Sequence, residues 1–177
     1  LEKHSQKLLE FLERSGPPLY ALLTRLTLRQ DVAEDLMQEL FIRLSNSRAL
    51  DNAQNHDAYA RRCAINLAFD WRQRSRQDAL PLDGIRELAS NDNSPLAKLI
   101  QKEELEEVLD AIGKLTGLSR EAFIMRYIEQ YSNEEIARQV GREPHQVRAL
   151  CSRAMAQLRS IVNANKSSST GKGMGNA

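Results

Sequence analysis

Aromatic residues make up only 5% of the 177 residues, and there are only eight glycines and five prolines. With Leu, Ala, Glu, Arg and Gln abundant, that poverty argues against a β-rich fold and favours an all-α chain. Cysteine is nearly absent. Cys63 and Cys151 lie far apart, each on an apolar helical face, which suits buried free thiols better than a disulfide or a ligand pair. No apolar run approaches the roughly 18 residues needed to cross a bilayer, and no signal-type apolar segment opens the chain, so a cytoplasmic protein is expected. Charge of one sign is missing too: the net charge is +1, so any electrostatic argument must be local. The motifs of common chemistries are also missing. There is no Gly-rich phosphate loop, no H-E-x-x-H, no C-x-x-C and no G-x-S-x-G. His4, His56 and His145 are scattered, and the helical carboxylates lack an apolar setting that would raise a pKa. These absences imply no catalytic residues, no metal, no cofactor and no enzyme.

What is present is helical patterning, organised around Ser132–Leu158. Ser132 with Glu135 forms a capping box, and Ile136, Ala137 and Val140 supply an inward stripe. Gly141 suits the left-handed residue that ends a helix. Pro144 suits the first turn of the next, where its missing N–H is no loss. A second stripe follows through Val147, Leu150 or Cys151, Ala154 and Leu158. Two short helices joined by such a turn are either a helix-turn-helix, whose second helix can enter a DNA major groove, or an ordinary αα-hairpin.

Upstream, Leu8, Leu9 and Leu12 predict a first helix closed by Gly16-Pro17-Pro18, and Leu19, Leu22, Leu23 and Leu26 predict a second. Asp31 with Glu34 reads as a capping-box variant opening a third helix, whose Ala33, Leu36, Met37, Leu40 and Leu44 face a core. Its outer stripe mixes Asp35, Gln38, Glu39 and Ile42, with Arg43 beside them. That mixture fits a docking surface or a merely solvated face. Ser45–Asn55 reads as a polar loop. From about Asp57 to Arg76 a long helix turns Ala60, Cys63, Ala64, Leu67 and Trp71 inward. Its other face carries Arg61, Arg62, Asn66, Phe69, Asp70, Gln73, Arg74 and Arg76. Clustered cations with interleaved rings on a nearly neutral chain favour a surface that neutralises phosphates and engages bases, over the alternative that Phe69 and Trp71 are core and the arginines merely solvated.

The helical pattern lapses over 77–93, the candidate linker. Ser94-Pro95 then reads as an N-cap with Pro in the first turn. The helix that follows carries Leu96, Leu99, Ile100, Leu105, Val108, Leu109, Ile112 and Leu115, with Glu103, Glu104, Glu106, Glu107 and Asp110 mostly outside. Ser119 is expected to cap another helix using Ala122, Phe123, Tyr127 and Ile128. Residues 163–177 lack the apolar content to offset their ordering entropy and are expected to be disordered. The expected organisation is therefore two small helical domains, 1–76 and 94–162, with a linker at 77–93 and a tail at 163–177.

Three runs then carry a family resemblance. Asp31–Leu44 (DVAEDLMQELFIRL) resembles the region-two helix of bacterial RNA polymerase sigma factors of the extracytoplasmic-function group. Ala64–Arg74 (AINLAFDWRQR) is similar to that family's following helix. Leu118–Tyr127 (LSREAFIMRY), with Ser132–Ala137, Val147-Arg148 and Ser152–Ala154, resembles region four. The resemblance implies a chain that binds the polymerase core and directs it to promoters. Asp35, Gln38, Glu39, Ile42 and Arg43 would meet the clamp helices of the polymerase largest subunit. The Ser45–Asn55 loop and the Asn66/Asp70 helix would read and hold open the −10 element. Arg61, Arg62, Arg72, Arg74 and Arg76 would lie on phosphates there, with Phe69 and Gln73 beside them. His145, Gln146, Arg148, Ala149, Ser152 and Arg153 would meet the −35 element, and apolar positions of the same domain would seat it on the polymerase flap. An anti-sigma protein is a further candidate partner. The chain departs from the family pattern at Glu143, where a small hydroxyl residue is usual, and at Arg142, Leu150 and Ser45. A stand-alone helix-turn-helix regulator and a helical adaptor without nucleic-acid binding are the alternative readings.

Overall fold

The computed structural model describes residues 2–47, 55–78 and 95–170, without the side chains of 2–5, 95–100 and 169–170. All regular structure among the described residues is helical. The chain divides into two compact units, Leu1–Leu88 and Ala89–Ala177.

In the first unit, α1 (Glu2–Thr27), α2 (Gln30–Asn46) and α3 (His56–Gln77) pack against one another pairwise. The two helices expected around Gly16-Pro17-Pro18 are one, with both prolines inside it. The reason lies in the buried stripe Leu8, Phe11, Ser15, Leu19, Leu22, Leu26, which keeps helical spacing straight across the prolines. Pro17 and Pro18 sit on the exposed side, where the carbonyls deprived of an N–H can face water. Leu28, at φ 59°, ends the helix. The expected Asp31 capping box is not formed either. Arg29 is the N-cap of α2 and makes no side-chain cap bond. Asp31 instead takes the Arg29 guanidinium at 3.1 and 2.5 Å, which pulls its pKa below the usual carboxylate range.

The second unit is built on α4 (Pro95–Gly113), α5 (Gly117–Phe123), α6 (Asn133–Val140) and α7 (Pro144–Thr170), with a π-helical turn at Ile124–Ile128. α4, α5 and α6 all pack on α7. Ala122, Met125, Ile136, Ala137, Val147 and Cys151 form a core cluster, with Cys151 buried in it and Leu150 packed half-buried against it, so both positions turn inward. Ser119 is not a cap: Thr116, in extended conformation, precedes the first helical residue Gly117. The π turn, closed by Glu129 N–H to the Ile124 carbonyl at 3.0 Å, adds a residue to the turn and shifts the register. Tyr127, expected inside, is consequently 48% exposed and lies on Phe123 with ring centroids 4.6 Å apart. Leu105 and Val108 of α4 are likewise exposed.

The tail expectation fails over its first half, because α7 runs on to Thr170. Extending a helix that the core has already nucleated needs only one bond per residue, and Ser167 and Ser168 add hydroxyl bonds to the carbonyls of Asn163 and Ala164. The linker over 79–93, the Ser94 cap, most of the Ser45–Asn55 loop and residues 171–177 lie outside the described residues. Ser45 and Asn46 belong to α2.

Candidate functional site

The outer stripe of α2 is solvent-facing as expected. Asp35, Gln38, Ile42 and Arg43 are exposed and Glu39 is half-buried. The opposite stripe, Val32, Ala33, Leu36, Leu40 and Leu44, is buried against the neighbouring helices. Arg43 and Glu39, one turn apart, form an ion pair at 2.6 Å. Ile42 is 55% and Phe41 41% exposed, so two large apolar side chains stand among the charges. Phe41 was not singled out in the sequence. The signal was there, since two adjacent apolar residues beside the Leu40/Leu44 stripe cannot both turn inward.

α3 corrects the expected basic face. Arg62, Asn66, Asp70, Gln73, Arg74 and Arg76 are exposed, but Arg61, Phe69 and Arg72 are buried. α3 packs on both α1 and α2, so it needs two apolar stripes rather than one. Ala60, Ala64 and Leu67 form the first. Ala68, with Arg61, Ile65 and Arg72 at matching spacing, forms the second. The buried Arg72 donates to the Leu26 carbonyl at 3.2 Å, satisfying one of the orphan acceptors at the end of α1. Cys63 and Trp71, expected inside, are only half-buried.

At its N-terminus α3 is pinned to α1. Asn55 is the N-cap and accepts from the Ala58 N–H. Asp57 in the first turn takes the buried Ser15 hydroxyl at 2.6 Å and Arg14 at 3.3 Å, and His56 meets the Phe11 ring edge-on.

In the second unit the capping box of Ser132 and Glu135 is complete. The backbone and hydroxyl hydrogen bonds from Ser132 hold the Glu135 carboxyl below its ordinary range. Gly141 takes the left-handed conformation, φ 65° and ψ 42°, and Pro144 opens α7. The helix-turn-helix reading of the backbone therefore stands. His145, Gln146, Arg148, Ala149, Ser152 and Arg153 are all exposed on the leading half of α7. Gln146 has a second task, because its Oε1 accepts from the Glu143 N–H at 3.1 Å. Glu134, Arg138, Arg142, Glu143 and Gln146 line an open groove at the turn. Among the described residues no group of His, Cys, Asp or Glu is placed to hold a metal ion, and no helix is long and apolar enough to cross a membrane.

Comparison with known proteins finds that two family models match the chain. Sigma-70 region 2 matches residues 11–77, and Sigma-70, region 4 matches residues 105–158. The RNA polymerase sigma-E factor of Streptomyces coelicolor is 27% identical over 128 residues, covering 72% of this chain and 70% of that protein. The ECF RNA polymerase sigma factor SigE of Mycolicibacterium smegmatis is 32% identical over 156 residues, covering 86% of this chain and 60% of that one. Among solved structures, CnrH in complex with the cytosolic domain of CnrY has a similar fold, with a TM-score of 0.50, 22% identity and 90% of each chain covered.

Proposed function

Since the chain belongs to the sigma-70 family of RNA polymerase sigma factors, in the extracytoplasmic-function group, we propose how its surfaces divide that role. The protein binds the polymerase core and directs promoter-specific initiation of transcription. Asp35, Gln38, Glu39, Ile42 and Arg43 of α2 take the clamp helices of the polymerase largest subunit. The observation that carries this assignment is the pair Phe41 and Ile42, exposed among charges on a helix whose other face is already buried. An exposed apolar couple rimmed by charged side chains is the kind of surface that a partner covers.

Arg62, Asn66, Asp70, Gln73, Arg74 and Arg76 of α3 serve the −10 element. The cations lie on phosphates while Asn66, Asp70 and Gln73 face unstacked bases. His145, Gln146, Arg148, Ala149, Ser152 and Arg153 of α7 serve the −35 element through the major groove. The role asks for no bond-making by this chain, so we assign it no enzymatic activity and place it with the polymerase in the cytoplasm. An anti-sigma protein that covers one of these surfaces belongs to the same reading, on the family alone.

The test is capture of polymerase core by the full chain. The Ile42→Asp variant puts a carboxylate where an apolar contact is needed and should reduce capture at least tenfold while the circular dichroism spectrum stays helical. Equal capture by the variant would sink the α2 assignment. Failure of the unaltered chain to bind core while it binds promoter duplex alone would favour a stand-alone regulator.

A further inference from the structure

The recognition helix is capped from the inside. Glu143 precedes its first residue, and the Glu143 carbonyl accepts from the N–H groups of Gln146 and Val147 at 3.0 and 3.1 Å. The Glu143 N–H donates in turn to Gln146 Oε1. That is one arm of a capping box. The other arm, a side-chain oxygen of the cap residue on a first-turn N–H, is absent at Glu143 among the described residues. Gln146 therefore holds the helix entry, and the Glu143 carboxylate is left exposed without a hydrogen bond or ion pair inside the described chain.

We propose that this carboxylate reads a cytosine in the upstream promoter element by accepting a hydrogen bond from its 4-amino group in the major groove. The inference rests on the docking of α7 proposed above. Residues at the leading end of a recognition helix are the ones that reach base edges. An ionised carboxylate can only accept, and the donors in the major groove are the amino groups of cytosine and adenine. Adenine carries the acceptor N7 beside its amino group, which repels a carboxylate, whereas cytosine presents a carbon-bound hydrogen on that side. Phosphates also repel it, and Arg138 and Arg142, which line the same groove, supply the positive charge that lets it approach the duplex.

The experiment is run-off transcription by core polymerase with the full-length chain over a promoter library randomised in the upstream element, the products being sequenced. The unaltered protein should favour cytosine at one position by about tenfold. Glu143→Gln should move that preference to adenine, because a carboxamide pairs with both N6 and N7. Glu143→Ala should flatten it. Every other position should keep its profile. The proposal is overturned if the three proteins select the same bases, or if both variants lower transcription from all promoters equally, as the loss of a purely dipole-stabilising acid would. Glu143→Gln has the same shape and leaves the Gln146 bond intact, so it decides the matter even if Glu143→Ala folds poorly. Silence of the unaltered protein on the whole library, at the level of core alone, would instead overturn the sigma-factor reading, and is a different result from a flat profile at one position.

Discussion

Arg72 and Arg74 are two residues apart in α3 and have opposite fates. Arg72 is buried with its guanidinium on the Leu26 carbonyl, whereas Arg74 is exposed. Removing a charged donor from a buried acceptor costs about 1.5–3 kcal/mol, since the orphaned carbonyl keeps its desolvation penalty. Arg72→Met should therefore lower the unfolding midpoint by several degrees, and Arg74→Met, which changes stability by no more than about half a kcal/mol, should leave it nearly unmoved. Thermal unfolding followed by circular dichroism compares the two directly. Equal effects would show that the Arg72 bond contributes nothing. The cysteines divide in a similar way. Burial pushes the Cys151 thiol up, against a smaller opposing influence of Arg126, and its Sγ donates to the Ala122 carbonyl at 3.7 Å. Cys63 is only half-buried. In the native protein a thiol reagent near neutral pH should label Cys63 first, and Cys151 at a comparable rate only once denaturant opens the core. Simultaneous labelling of both would contradict that burial.

Among the elements, α6 stands on the most local device in the chain, and it gives a pH dependence with a definite sign. The Ser132 bonds lower the folded pKa of Glu135, so their contribution is present above the unfolded carboxylate value near 4.5 and is lost as pH falls through the lower folded value. Ser132→Ala removes the cap and should destabilise the second unit by about 1 kcal/mol. Glu135→Gln should flatten the acid limb of the stability curve as pH falls below about 4.5, and an unchanged limb would exclude the box as its source. Ser132 with Glu135, Gly141 and Pro144 were legible in the sequence because each acts within its own turn; Asp31 with Glu34 has the same spacing, but the Arg29 guanidinium takes the Asp31 carboxylate and no box forms. What was not legible depends on neighbours. Pro17 and Pro18 each remove a backbone bond from the helix wherever they stand, and the helix runs through them because the buried stripe on either side keeps one register while the prolines face water. Arg61, Phe69 and Arg72 looked exposed because a single buried stripe was assumed for α3, a helix that packs on two others. The π turn at Ile124–Ile128 leaves the hydrophobic spacing intact while rotating Tyr127 outward, so periodicity could not reveal it.

For the whole molecule the electrostatic question is whether 25 cations against 24 anions can support a salt-sensitive grip on DNA. They can if charges act where they stand. The slope of log K against log salt counts the phosphates neutralised, about 0.7 per contact on single strands and 0.9 on duplex, and does not track net charge. Arg74 and Arg76 are exposed at the end of α3, on the helix proposed to hold the melted strand. Replacing both with Ala should reduce the magnitude of the slope for promoter binding by the holoenzyme by about 1.4–1.8. Neutralising Glu103 and Glu104, exposed on α4, changes the net charge by the same amount in the opposite direction, through Glu103→Gln and Glu104→Gln. That pair should leave the slope where it was, because no phosphate contact is gained or lost. Filter-binding or anisotropy titrations of holoenzyme on one promoter between 50 and 200 mM salt measure both. If the acidic pair moves the slope as far as the arginine pair, the protein answers to its overall charge and the assignment of α3 to the DNA backbone falls. If only the arginine pair moves it, a nearly neutral chain grips a polyanion through a few cations at the end of one helix.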